Sequence, residues 1–316
     1  MHTTHPSLYF WALGDLHYRA QPAWQALHAP RMQEMFEDIQ SVWQEEGRPD
    51  FCVSPGDLVQ TGTPTNYALA IQEIARQMQG IPFYPGIGNH EYHPDSQEDT
   101  FHTAAEFSAA WHKPPRYAWT AGEQHEIICI MLDQPYPYGS GERKESKEVI
   151  FPAETLHFLD ATLQEHESRR ALIFAHCPLQ DTVLDRDPAR NLDDDSQDTF
   201  FFVNNSAEVR AILAKHANVT LYISGHTHSG WNSPQLLFTE DLGKHTITHL
   251  NLMSPWYTGR HAGARRDPET NELIYVPDKP DTLITFALSI YADKALIRAR
   301  DHRAHQWLTN WEIPLR

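Results

Sequence analysis

Cysteine is scarce in this chain: three residues in 316, Cys52, Cys129 and Cys177, too few and too far apart for a disulfide framework. Long apolar runs are missing too. The longest, Leu8 to Leu13 and Ile127 to Leu132, are six residues each, against roughly 20 for a membrane-spanning helix. Met1 to Ser7 carries no Lys or Arg, and the run behind it is too short for a signal-peptide core. The expected location is therefore cytoplasmic, away from any membrane. Positive charge is also short, with 25 Lys and Arg against 42 Asp and Glu, a net −17. Such a field repels polyphosphate backbones and anionic bilayers, which disfavours nucleic acid and favours a small substrate. No stretch rich in Gly, Ser or Pro divides the chain, and no internal repeat appears. One continuous domain over residues 1–316 is expected.

What is present is a hydrophobic fraction of 41%, enough for a substantial core. Apolar runs of strand length recur at Leu8 to Leu13, Phe51 to Ser54, Ile81 to Tyr84, Ile127 to Leu132, Ala171 to Ala175 and Val219 to Ser224. Helical periodicity fills the gaps. Met32, Met35, Phe36, Ile39, Val42 and Trp43 form one stripe before Gly47; a second helix opens at Pro64 and closes at Gly80. A third follows Pro152, and a fourth follows Asn205. This alternation predicts an α/β layered fold. Its core spans about 8–255. Further on, Thr246 to Leu252, Thr282 to Tyr291 and Ala295 to Arg300 read as antiparallel ribbons, the last two, about 280–302, completing the sheets. The acidic stretch Asp181 to Asp198 holds seven Asp and two Arg and reads as a solvated loop.

Five short segments follow predicted strands: Gly14-Asp15-Leu16-His17, Gly56-Asp57, Gly88-Asn89-His90-Glu91, Ala175-His176 and Gly225-His226-Thr227-His228. Singly they are weak. With 20 His in the chain, about one His-x-His pair is expected by chance. Their agreement carries the weight, because open α/β sheets place their sites beyond the carboxyl ends of strands. On an extended backbone, residues two apart share a side, so Asp15 and His17 can face one ion, and His226 and His228 one site. Asn89 and His90, being adjacent, would diverge, Asn89 to a metal and His90 to a substrate. Carboxylate, amide oxygen and imidazole without thiolate suit Mn, Fe or Zn.

In this order the five segments resemble the calcineurin-like metallophosphoesterases, whose motifs here run from Asp15 to His228. The resemblance implies a four-layer α/β/β/α sandwich of two mixed β-sheets flanked by helices. It also implies a binuclear site with two divalent transition-metal ions. Asp15, His17 and His228 would hold the first ion and Asn89, His176 and His226 the second. Asp57 would bridge them, and His90 would be the catalytic non-ligand histidine. A metal-bridging hydroxide would then attack a phosphate ester. The segment after Asp57 lacks the tyrosine of the purple acid phosphatases, and His90 stands where the lipid A pathway pyrophosphatases have Arg. Gly-Asn-His-Glu with Gly-His-Thr-His is closest to the bacterial class III cyclic-nucleotide phosphodiesterase branch.

Beyond the motifs, His93 lies within reach of the same site. Trp256 and Tyr257 are possible base-stacking walls, with Arg260 reaching a phosphate. Cys177, beside His176, reads as a packed core thiol. The leading expectation is hydrolysis of a small phosphodiester, with a cyclic nucleotide as one candidate. A phosphomonoesterase or nucleotidase with the same site is the alternative, followed by a scaffold that has lost catalysis.

Overall fold

The computed structural model describes residues 5–93, 102–134, 149–183, 201–231, 233, 235–258, 265–266, 273–274 and 283–315. In chain order the elements are β1 (Leu8–Ala12), α1 (Pro22–Glu46), β2 (Phe51–Ser54), α2 (Pro64–Met78), β3 (Phe83–Pro85), α3 (Ala104–Trp111), β4 (Tyr117–Ala121), β5 (Ile127–Met131), α4 (Ala153–Glu165), β6 (Arg170–Phe174), α5 (Ser206–Leu213), β7 (Val219–Ser224), β8 (Leu237–Asp241) and β9 (Thr246–Asn251). The short pair β10 (Arg265–Arg266) and β11 (Leu273–Ile274) precedes β12 (Ile284–Ile290), β13 (Lys294–Asp301) and β14 (Gln306–Pro314).

Two six-stranded sheets result, ordered β14-β13-β12-β1-β2-β3 and β4-β5-β6-β7-β9-β8. Both are mixed. In the first, β1, β2 and β3 are parallel and β12 joins β1 antiparallel. In the second, β5, β6, β7 and β9 are parallel and β4 and β8 flank them antiparallel.

Period-two alternation explains the layering. Phe10, Ala12, Phe51, Val53, Phe286 and Leu288 of the first sheet meet Cys129, Leu172, Phe174, Leu221 and Ile223 of the second. Their neighbours point outward. Trp11 and Cys52 face Met35, Phe36 and Ile39 of α1 and Ile74 of α2, while Ile128, Ile173 and Tyr222 face Leu159 of α4 and Val209 of α5. Each large apolar side chain removed from water contributes about 1.5–3 kcal/mol, so both faces of each sheet need a covering layer. That requirement yields the α/β/β/α sandwich. Among the described residues no helix is long and apolar enough to cross a membrane.

The structure differs from the sequence reading in several places. β9 is not part of a separate antiparallel ribbon: it lies parallel to β7 and antiparallel only to β8. Five of its six residues are buried, which suits a strand paired on both edges. α1 begins ten residues before Met32, with Pro22 in its first turn, and runs through Pro30. Burial of Trp24 and His28 on one side of that proline and Met32 and Met35 on the other outweighs the lost hydrogen bond. The C-terminal sheet extends past 302, since β14 adds an edge strand paired with β13. Of the acidic stretch, residues 184–198 lie outside the described residues.

A buried carboxylate ties α1 to the C-terminal strands. Asp38 accepts two hydrogen bonds from Arg300, at 2.8 and 2.7 Å, one from His302 at 2.8 Å and one from His305 at 2.7 Å. Burial alone would raise its pKa, but these donors hold it well below the usual carboxylate range. Its contribution is therefore full at neutral pH and is lost as the pH falls below about 4. Asp38→Ala should lower the unfolding free energy by about 3 kcal/mol at pH 7, with a smaller deficit at pH 3. Urea denaturation at the two pH values checks this, and equal deficits would refute it.

Candidate metal centre

All five motif segments emerge from the carboxyl ends of β1, β2 and β3 in one sheet and β6 and β7 in the other. Hydrogen bonds between backbones lash the loops together: His17 N–H donates to Asp57 O at 2.9 Å, and Gly225 N–H to His176 O at 2.9 Å. Across the two sheets, His226 N–H donates to Asp15 Oδ1 at 2.9 Å. Glycine is needed where backbone meets carboxylate. A Cβ on Gly88 would lie 2.3 Å from Asp57 Oδ1, and one on Gly225 would lie 2.5 Å from Asp15 Oδ2.

Two clusters of side chains form that could each hold an ion. Asp15, His17, Asp57 and His228 each bring one ligand atom within 4.8 Å of the others, and so do Asp57, His176 and His226. Asp57 belongs to both. Asn89 joins the second group, with Oδ1 3.0 Å from His176 Nε2. Every one of these seven residues is buried.

The local backbone is not extended. His17 (φ 51°), Asp57 (52°), His226 (72°) and His228 (51°) are left-handed, four of the nine such non-glycine residues among those described. Argument from alternation along a strand therefore does not apply here. His226 and His228 turn to different groups rather than to one side, and Asn89 and His90 diverge at the start of a single 3₁₀ turn. Such backbone is costly unless its surroundings hold it, and it concentrates at functional sites.

The donor set suits a cation. Nε2 of His17 and Nε2 of His228 face each other at 3.0 Å, and His226 Nδ1 stands 3.2 Å from His176 Nε2. Asp15 Oδ2 is buried with no hydrogen-bond partner among the described residues. His228 donates its Nδ1–H to Tyr257 O at 3.0 Å, which leaves the Nε2 lone pair free for the site. Burial, then the neighbouring His90 and His228, keep His17 well below the ordinary imidazole value. At Asp57 burial raises the pKa, but His176, His90 and His17 pull it well below the carboxylate range. At His176 burial lowers the pKa, yet Asp57 and Asp15 lift it to about 9.

His90 belongs to neither group. Its N–H donates to Asp57 Oδ1 at 2.9 Å and its Nδ1–H to Gln60 O at 2.8 Å, while its ring stands edge-on to His17 at 4.6 Å. Nε2 is left as its working atom. The His93 ring lies 4.6 Å from that of His90.

The aromatic pair behaves differently from expectation. Trp256 is fully buried against Trp24 and His28, at 5.1 and 5.0 Å between ring centres, and offers no face to a base. Tyr257 packs its ring on His228 at 4.2 Å and His17 at 5.5 Å, supporting those two histidines rather than lining an open wall. Arg260 lies outside the described residues. Cys177 is buried in the core as expected.

Glu91 has a part the sequence reading did not give it, although it closes the Gly-Asn-His-Glu motif. It is fully buried and accepts four backbone N–H groups: Gly88 at 2.6 Å, Leu58 at 2.8 Å, Asp57 at 3.0 Å and Val59 at 3.1 Å. One carboxylate thereby fixes the loops of Asp57 and Asn89 in a common frame. Burial and the nearby Asp57 raise it to about 8, against the pull of those donors.

Comparison with known proteins agrees with this geometry. The family model for calcineurin-like phosphoesterases matches residues 8–230. Among solved structures, a dimetal phosphatase from Danio rerio is similar over 98% of this chain and 99% of its own, with 13% identity and a TM-score of 0.64. GAP50, the anchor in the inner membrane complex of Plasmodium, is similar over 98% of this chain and 89% of its own, with 12% identity and a TM-score of 0.57. At such identities the likeness is one of fold. No curated protein sequence matches.

Proposed function

The chain belongs to the calcineurin-like phosphoesterase family, and from that premise and its site we propose that it hydrolyses a small phosphodiester, with cyclic nucleotides the first class to test. The observation that carries this reading is Asp57, the one residue shared by two buried ligand groups. When bound there, two divalent ions such as Mn, Fe or Zn would polarise the phosphoryl oxygens and make hydroxide available at neutral pH. The chain's own residues do the rest. Asp57 fixes the spacing of the two halves and, through the His90 N–H, the position of His90 relative to them. His90 Nε2 supplies a proton to the departing alkoxide, its Nδ1–H held on Gln60 O. Glu91 keeps both loops in register.

Charge favours a diester. A net charge of −17 repels a dianionic monoester more than a monoanionic diester, and a polyanion most of all. Steady-state rates of Mn²⁺-loaded protein on cyclic nucleotides, aryl diesters, aryl monoesters, nucleoside monophosphates and single-stranded DNA test the reading. At least one small diester should exceed every monoester and the DNA in kcat/KM by about tenfold, and chelation should abolish all turnover. A monoester at the top would make the protein a phosphomonoesterase, and DNA at the top would overturn the small-substrate reading.

A further inference from the structure

Three residues of α1 lie at helical spacing on one face: Trp24, His28 and Arg31. None is a ligand, yet all three donate to backbone carbonyls around the first ligand group. Trp24 Nε1–H reaches His17 O at 3.1 Å, His28 Nε2–H reaches Leu16 O at 2.6 Å, and Arg31 Nε–H reaches Pro255 O at 2.6 Å. All are buried, with at most 4% exposure.

The carbonyls they hold belong to the two loops that meet at the first group. One carries Asp15 and the left-handed His17. The other carries Tyr257, whose carbonyl orients His228 and whose ring packs on both histidines. Ser254 joins the loops, donating Oγ–H to Asp15 O at 2.8 Å. Trp256 fills the space between the loop and the helix, against Trp24 and His28. The second group, Asp57, His176 and His226, receives none of these three bonds.

We propose that Trp24, His28 and Arg31 are positioning residues that set how tightly the first half of the site, Asp15, His17 and His228, holds its ion. The proposal rests on the two-ion reading above. A helix face that fixes backbone carbonyls acts at one remove from the ion, so its effect should be selective for one half of the site.

The test is Mn²⁺ binding to metal-depleted full-length protein, followed by equilibrium dialysis and by electron paramagnetic resonance. Wild type should take up two ions and show an exchange-coupled signal. His28→Leu, which removes the donor while keeping an apolar body, should weaken one of the two binding steps by about 10–100-fold, the range for residues that orient metal ligands. At two equivalents of Mn²⁺ its spectrum should become mononuclear. His28→Gln, which restores an N–H near the Nε2 position, should recover most of the affinity. Trp24→Phe, which keeps the ring and removes only the N–H, should fall between and carries the test if His28→Leu does not fold. Ile39→Val, on α1 away from the loops, should lower thermal stability without changing either step.

Unchanged affinity for both ions in folded His28→Leu and Trp24→Phe would overturn the positioning role while leaving the two-ion reading intact. Equal weakening of both steps would also overturn it. Failure of wild type to bind any Mn²⁺ would remove the two-ion reading and this proposal with it.

Discussion

Asp57→Asn should abolish binding of both ions, whereas Asp15→Asn should cost only one. The contrast follows from membership: Asp57 stands in both ligand groups and Asp15 in one. It is a clean comparison because both are fully or nearly fully buried carboxylates, each accepting a backbone N–H through Oδ1, from His90 at 2.9 Å and from His226 at 2.9 Å. An amide oxygen can keep that local bond in either variant. What is lost is the negative charge and the second ligand oxygen. At Asp57 that charge also faces His176, whose Nε2 lies 3.2 Å from Asp57 Oδ2. Activity should fall by more than the roughly 10²–10⁴-fold expected from losing a general acid. Elemental analysis and turnover on one preparation of each variant make the measurement. Similar metal content and similar residual rates in the two would show that Asp57 is not the shared ligand.

The candidate site was legible because its chemistry is local in the sequence. Each segment carries its ligand and the strand before it within a few residues, four of the five with a glycine beside them, and strand ends are where an α/β sheet builds sites. The geometry inside the loops was not legible. Whether His17 or His228 adopts a left-handed φ depends on what holds it, and the anchors are remote: Pro22 to Arg31 in α1, Ser254 and the Tyr257 carbonyl. Trp256 shows the same limit, since its residue type suits stacking on a base and stacking on Trp24 equally well. In the fold, long buried strands such as β5 and β12 could be read directly. β14 could not, because an edge strand with one open side mixes Trp307, Trp311 and Ile313 with Asn310 and Glu312.

His90→Ala should keep both ions and lose rate, by roughly 10²–10⁴-fold if His90 acts as a general acid, while Asn89→Ala should weaken one ion. Adjacent residues are thus expected to fail in different ways. Asn89 Oδ1 lies 3.0 Å from His176 Nε2, inside the second group, and its neighbour turns away at the start of a 3₁₀ turn to place its ring on His17. Since His90 Nδ1–H is committed to Gln60 O, only Nε2 can meet a substrate. It carries a proton there only in the imidazolium form, and burial lowers the pKa of His90 from its ordinary value, which makes that form a stronger acid but a scarcer one at neutral pH. The leaving group then decides between two roles. An alkoxide must be protonated as it departs, but a nitrophenolate leaves as a stable anion. If His90 is the acid, its loss should cost much less with a nitrophenyl diester than with an alkyl diester. If it only grips the phosphate, both substrates should suffer alike. Metal content and rates for both variants, each with a good and a poor leaving group, separate these outcomes. Loss of an ion from His90→Ala would place His90 among the ligands and undo the assignment.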